Sequence, residues 1–346
     1  MHYEKFEVVM AELTKKRRTV HLLLGNGFSM AYDRDIFSYN ALYDFISSLN
    51  DPMLAGVLKA MKTKNFELMM EQLDTFSELL DVFGANGELK AKIQSAHLGL
   101  RRSLIEAIKS MHPEHVFKIP QERSQCCASF VSRFLKSGGS IFTSNYDLLL
   151  YWVLMRQGIP NAVDGFGREL LNPIEVEAKT EEPSWSDLRW GPNRSGQNIF
   201  YVHGALPLFD TGLDVEKEQY DQAGYLLEKI KGRIERDDYP VFVTAGNGQE
   251  KLAQIRSNPY LSNCYENLCG IDGSVVSFGF GFGEYDSHII DALNRATHLP
   301  GNAPPKLRSV YIGVFSDADK QRAAELEKQL HAKVHTFAAQ TAVIWG

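Results

Sequence analysis

Residues 22–31 read LLLGNGFSMA. Three leucines close an apolar run that begins at Thr19, and Gly25-Asn26-Gly27-Phe28-Ser29 follows at once. An apolar run of this length without polar alternation suits a strand buried on both faces, as in parallel sheets covered by helices. Glycines at its exit let backbone N–H groups approach a phosphate closely, and a helix starting there favours an anion. The same glycines also suit a plain, tight strand-to-helix turn. The full dinucleotide fingerprint asks for a third glycine where Met30 stands, and for an acid ending a second strand about twenty residues on. Asp44 has the distance but lies in a helical pattern. An ordinary dehydrogenase is therefore disfavoured.

Four more runs of the same kind recur: SIFTSN (140–145), NIFYVHG (198–204), SVVSFGFG (274–281) and SVYIGVF (309–315). VFVTAG (241–246) and KVHTFAA (333–339) read as further strands. Helical patterns lie between them, for example at 285–297 and 317–331. Strands alternating with helices predict an α/β fold, a Rossmann-like, mostly parallel sheet with helices on both faces. The first two strands are over a hundred residues apart. The patterns at 65–83, 89–111 and 124–137 predict helices there. The chain thus reads as one domain, with a core from about 18–39 and 138–346 and a helical insertion at about 40–137. The stretch 165–197, rich in Gly, Pro, Trp and acids, is expected to form surface loops or a lid.

Bulk properties narrow the function. The 346 residues are 44% hydrophobic and 23% charged, a globular composition, with a net charge of −6. That charge argues against nucleic acid or an anionic membrane as the main partner. Cys126, Cys127, Cys264 and Cys269 have no zinc-type C-x-x-C spacing and no disulfide framework. They read as reduced thiols, and no metal ligands are expected. No apolar stretch approaches the ~20 residues of a membrane span. The first residues carry acids, unlike a signal peptide, so a cytoplasmic location is expected.

Three further strand ends carry polar groups. In IFTSNYDLLL (141–150), Asn145 and Asp147 stand at the carboxyl edge, where open α/β sheets bind ligands. Helix capping by Ser144 or Asn145 near Tyr146 would explain one of these residues, but does not call for Thr, Ser, Asn and Asp together. His203-Gly204 ends another strand, and a lone His there is often a hydrogen-bonded structural residue. Gly279, Gly281 and Gly283 follow a fourth strand, and Asp286 could cap the helix beyond.

In this order, Gly25-Asn26-Gly27-Phe28-Ser29, Thr143-Ser144-Asn145-Tyr146-Asp147, His203-Gly204 and, loosely, Ser277-Phe278-Gly279-Phe280-Gly281 resemble the strand-end motifs of the sirtuin family. The typical family forms are Gly-Ala-Gly-Ile-Ser, Thr-Gln-Asn-x-Asp, His-Gly and Gly-Thr-Ser. The chain departs from the deacylases in lacking the two Cys pairs of their zinc module and in its long helical insertion. Both departures are similar to the NAD-degrading, sirtuin-like effectors of bacterial anti-phage defence.

The resemblance implies NAD as substrate, cleaved to nicotinamide and ADP-ribose, with Asn145 and His203 catalytic. It implies that Gly25, Asn26, Gly27, Phe28 and Ser29 meet the pyrophosphate, that Asp147 contacts the nicotinamide carboxamide, and that Gly279, Phe280 and Gly281 flank the adenosine side. Control by a homo-oligomer or by a separately encoded partner, such as a hexameric ATPase of the DNA-translocase type, is implied by the same analogy. The alternatives are an NAD-dependent deacylase and a module that binds NAD or ADP-ribose without turnover.

Overall fold

A computed structural model describes residues 3–34, 51–61, 66–84, 87–110, 112–113, 115–220, 225–236, 238–243, 247–297 and 306–346. Asp44, and the start of the expected insertion at 40–50, lie outside the described residues. The strands are β1 (Glu4–Lys5), β2 (Val20–Leu24), β3 (Ile141–Thr143), β4 (Phe166–Gly167), β5 (Arg189–Trp190), β6 (Ile199–Tyr201), β7 (Gly204–Asp210), β8 (Val215–Lys217), β9 (Pro240–Phe242), β10 (Gly273–Phe278), β11 (Leu307–Val314) and β12 (Lys333–Ala338).

Seven of them form one sheet in the order β1-β12-β11-β10-β2-β3-β6, with every pairing parallel. Without the two-residue edge strand β1, the others number one to six along the chain and run 3-2-1-4-5-6 across the sheet. That is the doubly wound, Rossmann-like order, and its direction switches between β2 and β10. The apolar runs dictate this placement. Every residue of β2, β3 and β6 is buried, so these strands need cover on both faces. Burying each of Leu22, Leu23 and Leu24 stabilises the centre of the sheet by about 1.5–3 kcal/mol.

Helices supply the cover. Gln121–Lys136 packs on β2 and β3 through Cys127, Phe130, Val131 and Phe134. This helix, taken from sequence as the end of the insertion, is therefore a layer of the core. Ser287–Thr297 and Asp317–Gln329 form the crossovers after β10 and β11, and the second opens with a capping box at Ser316. Between β2 and β3, Pro52–Met61, Phe66–Val82 and Gly87–Ser110 pack against one another around Leu54, Met69, Leu73, Ala96 and Leu100.

A second sheet, antiparallel, was not foreseen. Its order is β4-β5-β8-β7-β9. Two expectations change with it. VFVTAG contributes β9 to this sheet rather than to the parallel one, and its residues 244–246 lie outside the described residues. Part of 165–197 forms β4 and β5 rather than loops alone. The junction is Gly204, whose φ of +80° turns the chain from β6 into β7. A Cβ there would lie 1.8 Å from the Val241 carbonyl oxygen of the neighbouring segment, so only glycine fits.

Candidate active site at the carboxyl edge of the sheet

Parallel register sets the site. Phe278, Leu24, Thr143 and Tyr201 pair in one row across β10, β2, β3 and β6. The strand-end motifs at 25–29, 145–147, 203–204 and 279–281 follow directly beyond that row. Asn145 and His203 each stand two residues past a paired partner, on adjacent strands. The edge lies beside the switch between β2 and β10, the usual ligand crevice of this architecture.

At the exit of β2, the glycines serve a backbone crossing. Gly25 N–H donates to Phe278 O at 3.1 Å and Gly27 N–H to Gly279 O at 2.9 Å. A Cβ on Gly27 would lie 2.5 Å from Gly279 Cα, and one on Gly25 would lie 2.5 Å from Phe280 Cα. Gly279, at φ +67°, is tight against Gly27 from the other side. The bare backbone at Gly27 is therefore fixed by packing, and its N–H is already taken by a protein carbonyl. Asn26 opens the helix Asn26–Tyr32 and is half-buried. Phe28 faces inward, its ring 5.1 Å from that of Trp345 and its carbonyl accepting Trp345 Nε1–H at 3.0 Å. Phe280 stacks edge-on with Phe282 at 4.8 Å, while Gly281 is exposed.

Ser29, Asn145 and Asp147 come together although 116 or more residues separate Ser29 from the other two. Asn145 Nδ2 donates to Ser29 Oγ at 2.8 Å, and Ser29 Oγ donates to Asp147 Oδ2. Asp147 Oδ1 accepts the Leu149 N–H at 2.9 Å. The helix thus begins at Leu149, later than expected, and its first free amide is served by Asp147 rather than by Ser144 or Asn145. The loop is pinned on both sides. Ser144 N–H bonds Leu24 O at 3.0 Å, Tyr146 Oη–H bonds Val243 O at 2.7 Å, and Leu148 N–H donates to His112 Nε2 at 3.0 Å.

Beside this network lies a second cluster that the sequence reading did not assemble. His203 Nε2 is 2.8 Å from His288 Nε2, and both residues are buried. Lys251, on the helix Gly248–Ser257 and fully buried, places Nζ 3.1 Å from Asp286 Oδ1. Burial holds His203 well below the ordinary histidine range, and the Lys251 ammonium adds to this. His288 is pushed down to about 3, chiefly by burial, with His203 and Lys251 adding and Asp286 opposing. Both imidazoles are neutral near pH 7. Donor atoms of His203, Asp286 and His288 lie within 4.8 Å of one another, so the fold gathers three potential metal ligands where the sequence suggested none.

Only faint signals pointed to these partners. Asp286-Ser287-His288 follows a glycine-rich strand end, and Lys251 stands four residues before buried Ile255, on the inward face of its helix. The four cysteines form no disulfide, with Cys127 and Cys264 buried. A cavity of about 750 Å³, lined by Arg17, Arg18, Thr19, Arg133 and Ser137, lies at the opposite end of β2 and touches none of the residues above. No helix among the described residues is long and apolar enough to cross a membrane.

Fold and edge together define a Rossmann-like α/β protein with a buried polar site at its topological switch point. Residues 22–345 match the family described as Domain of unknown function (DUF4917), and the chain belongs to that family. No curated protein matches it.

Proposed function

We propose that the protein is an NAD glycohydrolase, cleaving NAD to nicotinamide and ADP-ribose. The observation that carries this reading is the placement, beyond one register row, of the Ser29–Asn145–Asp147 network and a neutral His203 at neighbouring strand ends. The chemistry fits these groups. Breaking the bond between ribose C1′ and the pyridinium nitrogen releases a neutral leaving group, so no general acid is needed there. The transition state resembles an oxocarbenium ion, as in sugar hydrolysis.

Asn145 offers an amide to orient ribose or water. Asp147 supplies negative charge beside the developing cation and a hydrogen-bond acceptor for the carboxamide. His203 accepts a proton from water. The polar groups of this edge are bonded to one another and buried, so a bound substrate would exchange those internal bonds for its own. Asn26 and Gly281, less buried, would border the approach.

The decisive experiment is to incubate the purified chain with NAD and quantify nicotinamide. Cleavage by the wild type and its loss in folded Asn145→Ala and His203→Ala are expected, a drop of about 10²-fold or more for the base. Wild-type turnover in folded His203→Ala would remove that residue from the mechanism. An acetylated peptide in parallel tests deacylation.

Control by assembly belongs to the same proposal. Phe76, Leu79 and Val82 share one face of their helix, Phe83 follows it, and all four are exposed. Contiguous exposed apolar groups mark contact surfaces. A role in anti-phage defence, with a separately encoded ATPase as partner, would make cleavage depend on that assembly. Light scattering showing a monomer fully active at nanomolar concentration would sink this part.

A further inference from the structure

His203 follows β6 and His288 opens the helix Ser287–Thr297, 85 residues later. Their rings lie 5.0 Å apart, tilted by 32°, with the two Nε2 atoms facing at 2.8 Å. Two bare nitrogens at that distance would set lone pair against lone pair. Two N–H groups would set hydrogen against hydrogen. One proton therefore sits between the rings.

The surroundings favour a shared proton over a metal ion. Lys251 already offsets the Asp286 carboxylate, and a dication would face that ammonium. Among the described residues His288 Nδ1 is buried with no hydrogen-bond partner, whereas a metal-ligating His usually anchors its second nitrogen. Because His203 Nε2 faces His288, only Nδ1 of His203 is left to meet a substrate. To act as a base, that Nδ1 must be bare. The ring's own proton is then on Nε2, donated to His288 Nε2, and His288 carries its proton on Nδ1.

Resting on the NAD-cleavage reading, we infer that His203 and His288 form a two-imidazole relay in which His288 receives, through His203, the proton released by the attacking water. As the water oxygen bonds to C1′, the bond from C1′ to the nicotinamide nitrogen breaks and its electron pair stays on nicotinamide. One water proton passes to His203 Nδ1, and the His203 Nε2–H proton passes to His288 Nε2. Positive charge thus moves one ring away from the developing oxocarbenium ion and towards Asp286. After product release the proton returns through His203 to solvent. His288 touches no substrate and is a positioning residue.

Two measurements test this. Nitrogen-15 spectra of the resting wild-type chain, labelled at histidine, are expected to show His203 as the Nε2–H tautomer and His288 as the Nδ1–H tautomer. A proton on His203 Nδ1 would overturn the pairing. This readout needs neither activity nor a variant, so it separates a failed relay from a failed NAD reading. The second is a proton inventory of kcat in mixtures of light and heavy water. A bowed plot, two protons in flight, is expected for wild type. His288→Gln, which can accept the His203 N–H bond but cannot take the proton, is expected to give a straight plot, kcat lower by about 10–100-fold and KM within about twofold. A straight wild-type plot, or wild-type kcat in His288→Gln, would overturn the relay. So would about one zinc per chain held by wild type and lost in His288→Gln, since metal would then occupy the place of the proton.

Discussion

Ser29→Ala should be among the more costly single-atom deletions in this protein. Among the described residues, Ser29 Oγ is the link between the Asn145 and Asp147 side chains: it accepts from one and donates to the other. All three residues are buried, Ser29 fully. Removing the oxygen leaves the Asn145 amide without an acceptor and one Asp147 oxygen without a donor. Each buried group left unpaired costs about 1–3 kcal/mol, more where it is charged, so the variant should lose about 2–5 kcal/mol. Asn145→Ala leaves the Ser29–Asp147 bond intact and should lose less, about 1–2 kcal/mol. In the double variant the orphaned amide no longer exists, so the combined loss should fall short of the sum by about 1 kcal/mol or more. Urea unfolding followed by tryptophan fluorescence measures this, with the buried Trp152 and Trp345 as reporters and an unchanged m value as the check that only stability moved. A Ser29→Ala loss below about 0.5 kcal/mol, or losses that add within about 0.3 kcal/mol, would show that the three side chains do not act as a unit.

Gly27→Ala should destabilise by about 1–3 kcal/mol because its methyl meets the Gly279 backbone, while Gly281→Ala, with nothing within 4 Å of a Cβ, should stay within about 0.5 kcal/mol. Equal urea midpoints for the two would contradict the crossing described between β2 and β10. Acid should weaken the fold through His203, His288 and His21, all held low chiefly by burial, with Lys251 and Asp286 facing the pair and Asp272 facing His21. The unfolded chain takes up protons that the native state refuses, so stability is full above about pH 6.5 and falls below it by up to about 1.4 kcal/mol per pH unit for each ring. That fall continues for His288 down to about pH 3. His288→Gln should flatten the slope between about pH 6.5 and 4.5 by up to one ring's share, and an identical slope would mean that His288 does not titrate out of a buried neutral state.

The parallel sheet was legible because its central strands β2, β3, β6 and β10 are buried on both faces, and such strands show as unbroken apolar runs. The same property hid the second sheet. β4 and β5 are two residues each and only partly apolar in setting, and β9 looks like one more buried run, so nothing local told it from a strand of the main sheet. What separates them is Gly204, whose requirement for glycine comes from Val241, thirty-seven positions along the chain. Likewise Asn145, Asp147 and His203 could be picked out because a polar group directly after an apolar run is unusual. Their partners could not. Lys251 sits inside an ordinary amphipathic helix, and its charge partner Asp286 belongs to another element.

The glycines show how one residue can be right for a different reason. Gly25 and Gly27 stand where a phosphate-binding loop would want them, yet the groups that exclude a side chain are Phe280 and Gly279 of the neighbouring strand exit. The two exits on either side of the topological switch are thereby locked to each other by Gly27 N–H and Gly279 O. A ligand in that crevice would meet a preformed edge whose backbone does not need to move, with adjustment confined to side chains such as Asn145 and Asp147. Rigid backbone with exchangeable side-chain bonds is the arrangement expected where a substrate must be oriented closely. It places the cost of binding on the Ser29–Asn145–Asp147 network rather than on the loop. Substitutions in that network should therefore alter substrate affinity in folded protein, whereas substitutions at Gly27 should act first on folding.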